Sequence, residues 1–308
     1  MNMIRRIKRQ GTAMASASTL TLTLIVGLGL ASCTQASEEN AIEQNAAEQT
    51  PTEQNVAEQT ATEQNAGSQD VSQQNAKALL KGMSDYLAAQ KVISLNYDTA
   101  HEVVTKEGQK LQIATTGTVV LNRPDKLRNS RKAGFADTEM TFDGKTLTLL
   151  GKGQNAYIQA EVPGTVDTLI DQLRDKFQRP LPGADLLLQN VYDALMTDVT
   201  DVKDLGSGVI GGTECDHLAF RAKDTDWQIW IAQGKNPYPC RYVITSKGVD
   251  QAPQFTITIR DWKAGAEVPA TDFTFTAPAG AKKLDAKDLQ ALKEASDLPE
   301  NYRLGETK

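Results

Sequence analysis

The stretch GGTECDHLAFRAKDTDWQIWIAQG, residues 211–234, decides how this chain is read. Within it CDHLAFRA (215–222) and DWQIWIA (226–232) alternate apolar and polar positions, as strands do when one face meets a core. Trp227, Ile229 and Ile231 share one face, Gln228 and Trp230 the other, and Leu218 and Phe220 alternate in the same way. The pattern continues through CRYVITS (240–246), QFTITIRDW (254–262) and DFTFTA (272–277), with Phe255, Ile257, Ile259, Phe273 and Phe275 on the apolar face.

Working back toward the N-terminus, strand patterning recurs in ISLNYDTAHEVVT (93–105), LQIATTGTVVLNR (111–123), ADTEMTFDG (136–144), KTLTLLG (145–151) and NAYIQAEV (155–162). KEGQK joins the first two, the run Arg123–Arg128 interrupts the pattern briefly, and Asp143-Gly144 is a hairpin signal. Other segments carry the helical period. Leu79, Leu80, Met83, Tyr86 and Leu87 predict a helix over roughly 72–91. Val166, Leu169, Ile170, Leu173 and Phe177 form a stripe behind Thr165, a natural N-cap. After Pro180 and Pro182 a second helix is expected over about 184–196, and 286–296 reads as a short helix or a frayed tail. Helix, strands, a helical pair and more strands predict an α+β fold, a mostly antiparallel sheet covered on one face by helices.

The composition is uneven. All aromatic residues lie after position 85. The formal charge of −6 combines Arg5, Arg6, Lys8 and Arg9, then eight acids from Glu38 to Asp70 with no Lys or Arg among them, then a nearly neutral remainder. Such a remainder offers no clustered cations for phosphate, so nucleic acid is not expected as a partner.

The first four cations precede an apolar run, LTLTLIVGLGL (20–30), too short for a membrane span, which takes about 20 residues. It ends in Leu30-Ala31-Ser32-Cys33, which resembles the lipobox of bacterial lipoprotein precursors. That resemblance implies a signal peptide over 1–32, cleaved before Cys33, and an acylated Cys33 that anchors the chain to a membrane. Thr34 stands where inner-membrane retention signals place Asp, so the outer membrane, facing the periplasm, is expected. Residues 33–74, with the near-repeat EQNAAEQTPT (43–52) and EQNVAEQTAT (53–62), have almost nothing apolar to bury and read as a disordered tether reaching roughly 35 Å. A marginal helix is the alternative, against which Pro51 and the scattered Thr count. The folded domain is expected over 75–284, with 285–308 as tail.

Asn122-Arg123-Pro124-Asp125-Lys126-Leu127-Arg128, Asp143-Gly144-Lys145-Thr146-Leu147, the opening stretch 211–234 and RYVIT (241–245) together resemble a family of predicted periplasmic proteins. That family lies in the superfamily of the lipoprotein carriers LolA and LolB, and the resemblance covers roughly 77–281. It implies a curved, half-closed antiparallel barrel whose concave face is lidded by helices around an apolar cavity, which in some relatives holds acyl chains. Cys240 departs from the family, where a basic residue is expected before Arg241.

Candidate chemistry is sparse. Gly206-Ser207-Gly208-Val209-Ile210-Gly211 spells a dinucleotide fingerprint, but a strand follows where the mechanism needs a helix, so it reads as a flexible turn. Gly151-Lys152-Gly153 reads as a hairpin turn. Cys215 and His217 share a strand face with Asp216 on the other; a thiol with an imidazole and no third group to orient it is a poor triad. Zinc would need two further ligands, with only His101 and Cys240 left among soft donors. Neither a catalytic residue nor a metal or cofactor is therefore expected. In an oxidising compartment the pair Cys215 and Cys240 suggests a disulfide. If their strands flank a third, two spacings of about 4.8 Å separate them, more than a bridge spans, and bridging needs a bulge near Pro237 and Pro239. Both states stay open.

The functional expectation is a non-enzymatic, membrane-anchored periplasmic lipoprotein. It would bind a lipid, acyl or other apolar ligand against Leu218, Phe220, Trp227, Ile229, Ile231, Phe255, Ile257, Ile259, Phe273 and Phe275. The alternative is a filled barrel acting as a protein-interaction or envelope-stress sensing module.

Overall fold

The computed structural model describes residues 51–177, 179–286, 292–296 and 298, with side chains from Asp70 onward. The expected signal peptide over 1–32, the expected lipidation site Cys33, the part of the expected tether before Pro51 and much of the expected tail lie outside the described residues. The compact unit that carries the sheet begins at Val71. Among the described residues no helix is long and apolar enough to cross a membrane.

Helix α1 runs from Pro51 to Ala89, so 51–74, expected as coil, is helical. The Glu, Gln and Ala along it are strong helix formers. Toward its end Ala76, Leu80, Met83 and Leu87, spaced to fall on one face, are buried.

The twelve strands are β1 (Val92–Val104), β2 (Lys110–Asn122), β3 (Lys126–Ala133), β4 (Ala136–Phe142), β5 (Thr146–Gly151), β6 (Ala156–Glu161), β7 (Val199–Ile210), β8 (Thr213–Ala222), β9 (Thr225–Ala232), β10 (Pro239–Ser246), β11 (Gln254–Ala264) and β12 (Lys282–Leu284). They form one open sheet in the order β12-β6-β5-β4-β3-β2-β1-β11-β10-β9-β8-β7. Every pairing is antiparallel except β12 with β6. The sheet curls: Phe142 and Leu147 near one edge and Phe220 and Trp227 near the other belong to a single buried cluster, which also holds residues of α1 and the other helices. This is the α+β architecture expected, a half-closed antiparallel sheet with helices on its concave face.

Between β6 and β7 the chain builds the rest of that cover. Helix α2 (Val166–Asp175) starts where Thr165 caps it, the side chain accepting from Thr168 N, and it buries Val166, Leu169, Ile170 and Leu173. The helix expected over 184–196 is instead a 3₁₀ turn, Ala184–Leu187, and helix α3, Val191–Met196. Leu188 is extended and Asn190 recaps the chain by accepting from Asp193 N, so a local side-chain bond divides an otherwise helical period.

Three further expectations change. β7 is a strand through the fingerprint glycines: Gly206 (φ 81°) sits at a bulge, where pairing with β8 shifts between Asp204 and Ser207, and only Gly211-Gly212 (φ 58° and 86°) form the turn. Positive φ at both positions is what a two-residue hairpin demands. β3 was hidden because KLRNSRKA carries polar groups on both faces. DFTFTA pairs with no strand; its side chains alternate in exposure, but the edge of β6 is taken by β12.

Candidate functional site: a lidded apolar cavity

A cavity of about 390 Å³ lies between the concave face and its cover. Its floor comes from β1 to β6 and β11, including Leu95, Tyr97, Met140, Leu149, Ile158 and Ile257; its roof comes from α2 and the segment Arg179–Leu187. Long β1 and β2, paired without a break over thirteen residues each, set this half of the sheet. Most of the wall is apolar, and polar groups such as Thr99, Asn129 and Arg131 punctuate it.

Of the residues expected to line a ligand site, Phe255, Ile257 and Ile259 stand on the cavity wall. Leu218, Phe220, Trp227, Ile229 and Ile231 do not; they are at most 3% exposed and fill the β8–β10 half of the sheet. There Phe220 stacks on Trp227 at 3.8 Å, and Trp227 meets Tyr242 edge-on at 5.8 Å. Phe273 and Phe275 lie away from the cavity, Phe275 against Tyr157 at 5.0 Å. One half of the curl is thus packed solid and the other is hollow, although both show the same alternation in sequence.

The polar part of the wall is organised around Tyr97. Its hydroxyl donates to the Ser130 carbonyl (3.1 Å) and accepts from Asn129 Nδ2 (3.0 Å). Burial raises its phenol pKa, against the opposing Asn129 bond and the charge of Arg131, so it stays neutral. The far end holds His101, edge-on to Phe255, and Glu102, which accepts from Gln254 N and pairs with Lys110.

The cover is latched by the motif at 122–128. Arg123 Nη2 donates to the Leu188 carbonyl (3.1 Å), and Pro124 accepts from Val166 N (2.9 Å). Asp167 faces Arg123 and accepts from Gln189 N. Beneath the 3₁₀ turn, Asp185 is 4% exposed, and Asp185 Oδ2, the Tyr242 hydroxyl and the Trp227 indole N–H have no hydrogen-bond partner among the described residues. Burial pushes the Asp185 carboxyl up to about 6, opposed by Arg174, and its charge helps raise the Tyr242 phenol, which burial already lifts.

The small outer cluster of Ile210, Cys215, Ala232 and Cys240 places both cysteines as free, buried thiols. Cys215 pairs across to Ala232, and the bulge between Pro239 and Arg241 swings Cys240 toward it, as bridging would require, yet the thiols remain unbridged. Burial raises both pKa values, so neither is an activated nucleophile. His217 stacks on Trp230 at 3.9 Å and bonds Gln228 at 2.9 Å, a sheet-face histidine. Among the described residues no group of His, Cys, Asp or Glu could hold a metal ion.

An open antiparallel sheet curled about an apolar cavity, with helices latched over its mouth, defines the class of protein. Within it, the chain belongs to the family described as Predicted periplasmic protein (DUF2092), which it matches over residues 76–286. Similar solved structures include LprF from Mycobacterium bovis, 17% identical with a TM-score of 0.41 over 66% of this chain and 98% of that one. Lipoprotein LppX from Mycobacterium tuberculosis is 13% identical, with a TM-score of 0.31 over 61% of this chain and 94% of that one. A LolA superfamily protein from Nitrosomonas europaea is 11% identical, with a TM-score of 0.32 over 65% and 97%. No curated protein matches the chain.

Proposed function

We propose that this protein is a non-enzymatic lipoprotein of the cell envelope that binds an acyl chain or similar apolar ligand. Cys33 would anchor it to the membrane, and the stretch before Val71 would space the binding domain from it. The supporting observation is the cavity: about 390 Å³ is within the range of small-ligand sites, roughly 300–1,000 Å³, and its walls are mostly apolar. Hydrophobic burial supplies the affinity, at about 0.8 kcal/mol per buried CH₂.

Native mass spectrometry of the chain lacking residues 1–33, purified from cells without detergent, tests this reading. A co-purified lipid, or saturable binding of a fluorescent polyene fatty acid, is expected. An empty protein that binds no such probe would overturn it and leave the protein-interaction reading.

A further inference from the structure

One stretch of the roof is held to the sheet by the burial of its side chains. Among the described residues the backbone of 181–187 bonds within its own turn: Ala184 N donates to the Leu181 carbonyl and Leu186 N to that of Gly183. The two ends of the stretch are fastened. Arg179 N donates to the Leu173 carbonyl (2.7 Å), and the Leu188 carbonyl accepts from Arg123. Pro180 and Pro182 stiffen the approach, and Gly183 turns the chain at φ 82°. A Cβ there would stand 3.5 Å from Ile257 of the floor. Leu181, Gly183, Ala184 and Leu186 line the cavity, so this turn is a hinged segment between two fixed points, set over the ligand space.

Its seat tolerates a charge poorly. Asp185 lies between Ala184 and Leu186, is 4% exposed, and its Oδ2 has no hydrogen-bond partner among the described residues. Ala184 and Leu186 belong to the buried cluster that holds Tyr242 and Trp227, whose hydroxyl and indole N–H also lack partners there. A carboxylate buried without donors carries a large desolvation cost, most of which the neutral acid escapes. The charged and titratable groups that face Asp185 are Arg174 and Asp171 of α2 and Tyr242 of β10. Arg174 favours the ionised form, but it is paired with Asp171 and Asp175, and the charge of Asp171 opposes it. Burial outweighs the pull of Arg174.

We propose that Asp185 is a proton-operated catch on the roof: the neutral carboxyl keeps the turn seated and the apolar ligand enclosed, and its ionisation lifts the turn and opens the cavity. This inference rests on the cavity being a binding site for apolar chains. With the turn lifted the carboxyl is hydrated and returns from about 6 to its ordinary 3.8, so protons favour the closed state. Closure is most favoured below about pH 4, weakens as pH rises to about 6, and is level above that. Linkage between these two values makes the open state about tenfold more populated at pH 7 than at pH 5. Such a protein holds its cargo in acid and exchanges it near neutrality.

The test uses the chain lacking residues 1–33, loaded with N-phenyl-1-naphthylamine, an apolar fluorophore that is uncharged throughout this pH range. Its release into an excess of phosphatidylcholine vesicles is followed by stopped-flow fluorescence. The wild-type chain should release it about tenfold faster at pH 7 than at pH 5. Asp185→Asn, neutral at every pH, should release it at a single slow rate. Hydrogen exchange over 180–188, corrected for its intrinsic pH dependence, should quicken with pH in the wild type while β8–β10 stay protected. That measurement decides the matter by itself if the variant does not fold: a roof turn whose protection ignores pH would overturn the catch. His101 and Glu102 also line the cavity and remain in the variant. An equal pH dependence of release in both proteins would assign the effect to them and overturn the catch. Release from the wild type that ignores pH would overturn it as well, and would leave the apolar site standing. A wild-type chain that takes up no fluorophore at either pH would sink the underlying function instead.

Discussion

The ring of Tyr97 lies directly over Gly117 of the neighbouring strand. A Cβ at Gly117 would fall 2.5 Å from the ring and 2.1 Å from the Ser130 carbonyl, so only glycine lets the phenol cross β2 and reach β3. This contact ties three strands of the cavity floor with one hydroxyl.

Gly117→Ala should therefore destabilise the domain by at least about 3 kcal/mol, because the clash is with backbone and ring, which have little freedom to move. Tyr97→Phe, which keeps the ring and removes the hydroxyl, should cost about 1 kcal/mol. Urea unfolding of both variants checks the order; an alanine as mild as the phenylalanine would mean that the strand yields more easily than its geometry implies.

Asp185 sets a pH dependence. The folded chain holds this proton up to about pH 6, while its ordinary value is 3.8, so stability falls as pH rises through that window and is level above it. Asp185→Asn should remove the penalty and stabilise the protein at pH 7 by about 2–3 kcal/mol, with little gain at pH 4. Melting temperatures of variant and wild type between pH 4 and 7 should diverge with rising pH; parallel curves would contradict the assignment.

Arg123 is predicted to hold the cover shut. Arg123→Met keeps the stem but loses the bond to Leu188 and the charge facing Asp167, with an expected cost of about 2 kcal/mol. Hydrogen exchange should quicken over 184–196 and stay unchanged over β8–β10. Uniform quickening across the sheet would point to global destabilisation.

The hollow and solid halves of the sheet should answer differently to bulk. Ile257→Trp adds volume at the cavity wall and should block probe binding with only a small change in melting temperature. Ile229→Ala, in the packed half, should cost about 2–5 kcal/mol and leave probe affinity nearly intact. Reversed outcomes would place the site elsewhere.

Native alkylation of Cys215 and Cys240 should be slow, since both thiols are buried and held protonated, and both should react after unfolding. A mass map showing them linked would contradict the free state.

Local pattern was enough to read the sheet, because period-two alternation in runs such as DWQIWIA and FTITI reports directly that one face is buried. Thr165 as a cap and Asp143-Gly144 as a turn were legible for the same reason: their bonds reach only a few residues along the chain. Polar strands such as KLRNSRKA were not, since their Asn129 and Arg131 face inward to partners far away in sequence. Nor could alternation tell Ile229 from Ile257. Each is an inward-facing isoleucine, and whether aromatic rings or empty space stands opposite depends on how the sheet curls and where the cover lands. The cavity, the meeting of Arg131 with Arg179 on the carbonyls of 294–296 and the buried Asp185 are likewise products of tertiary structure, because each joins segments that no local period connects.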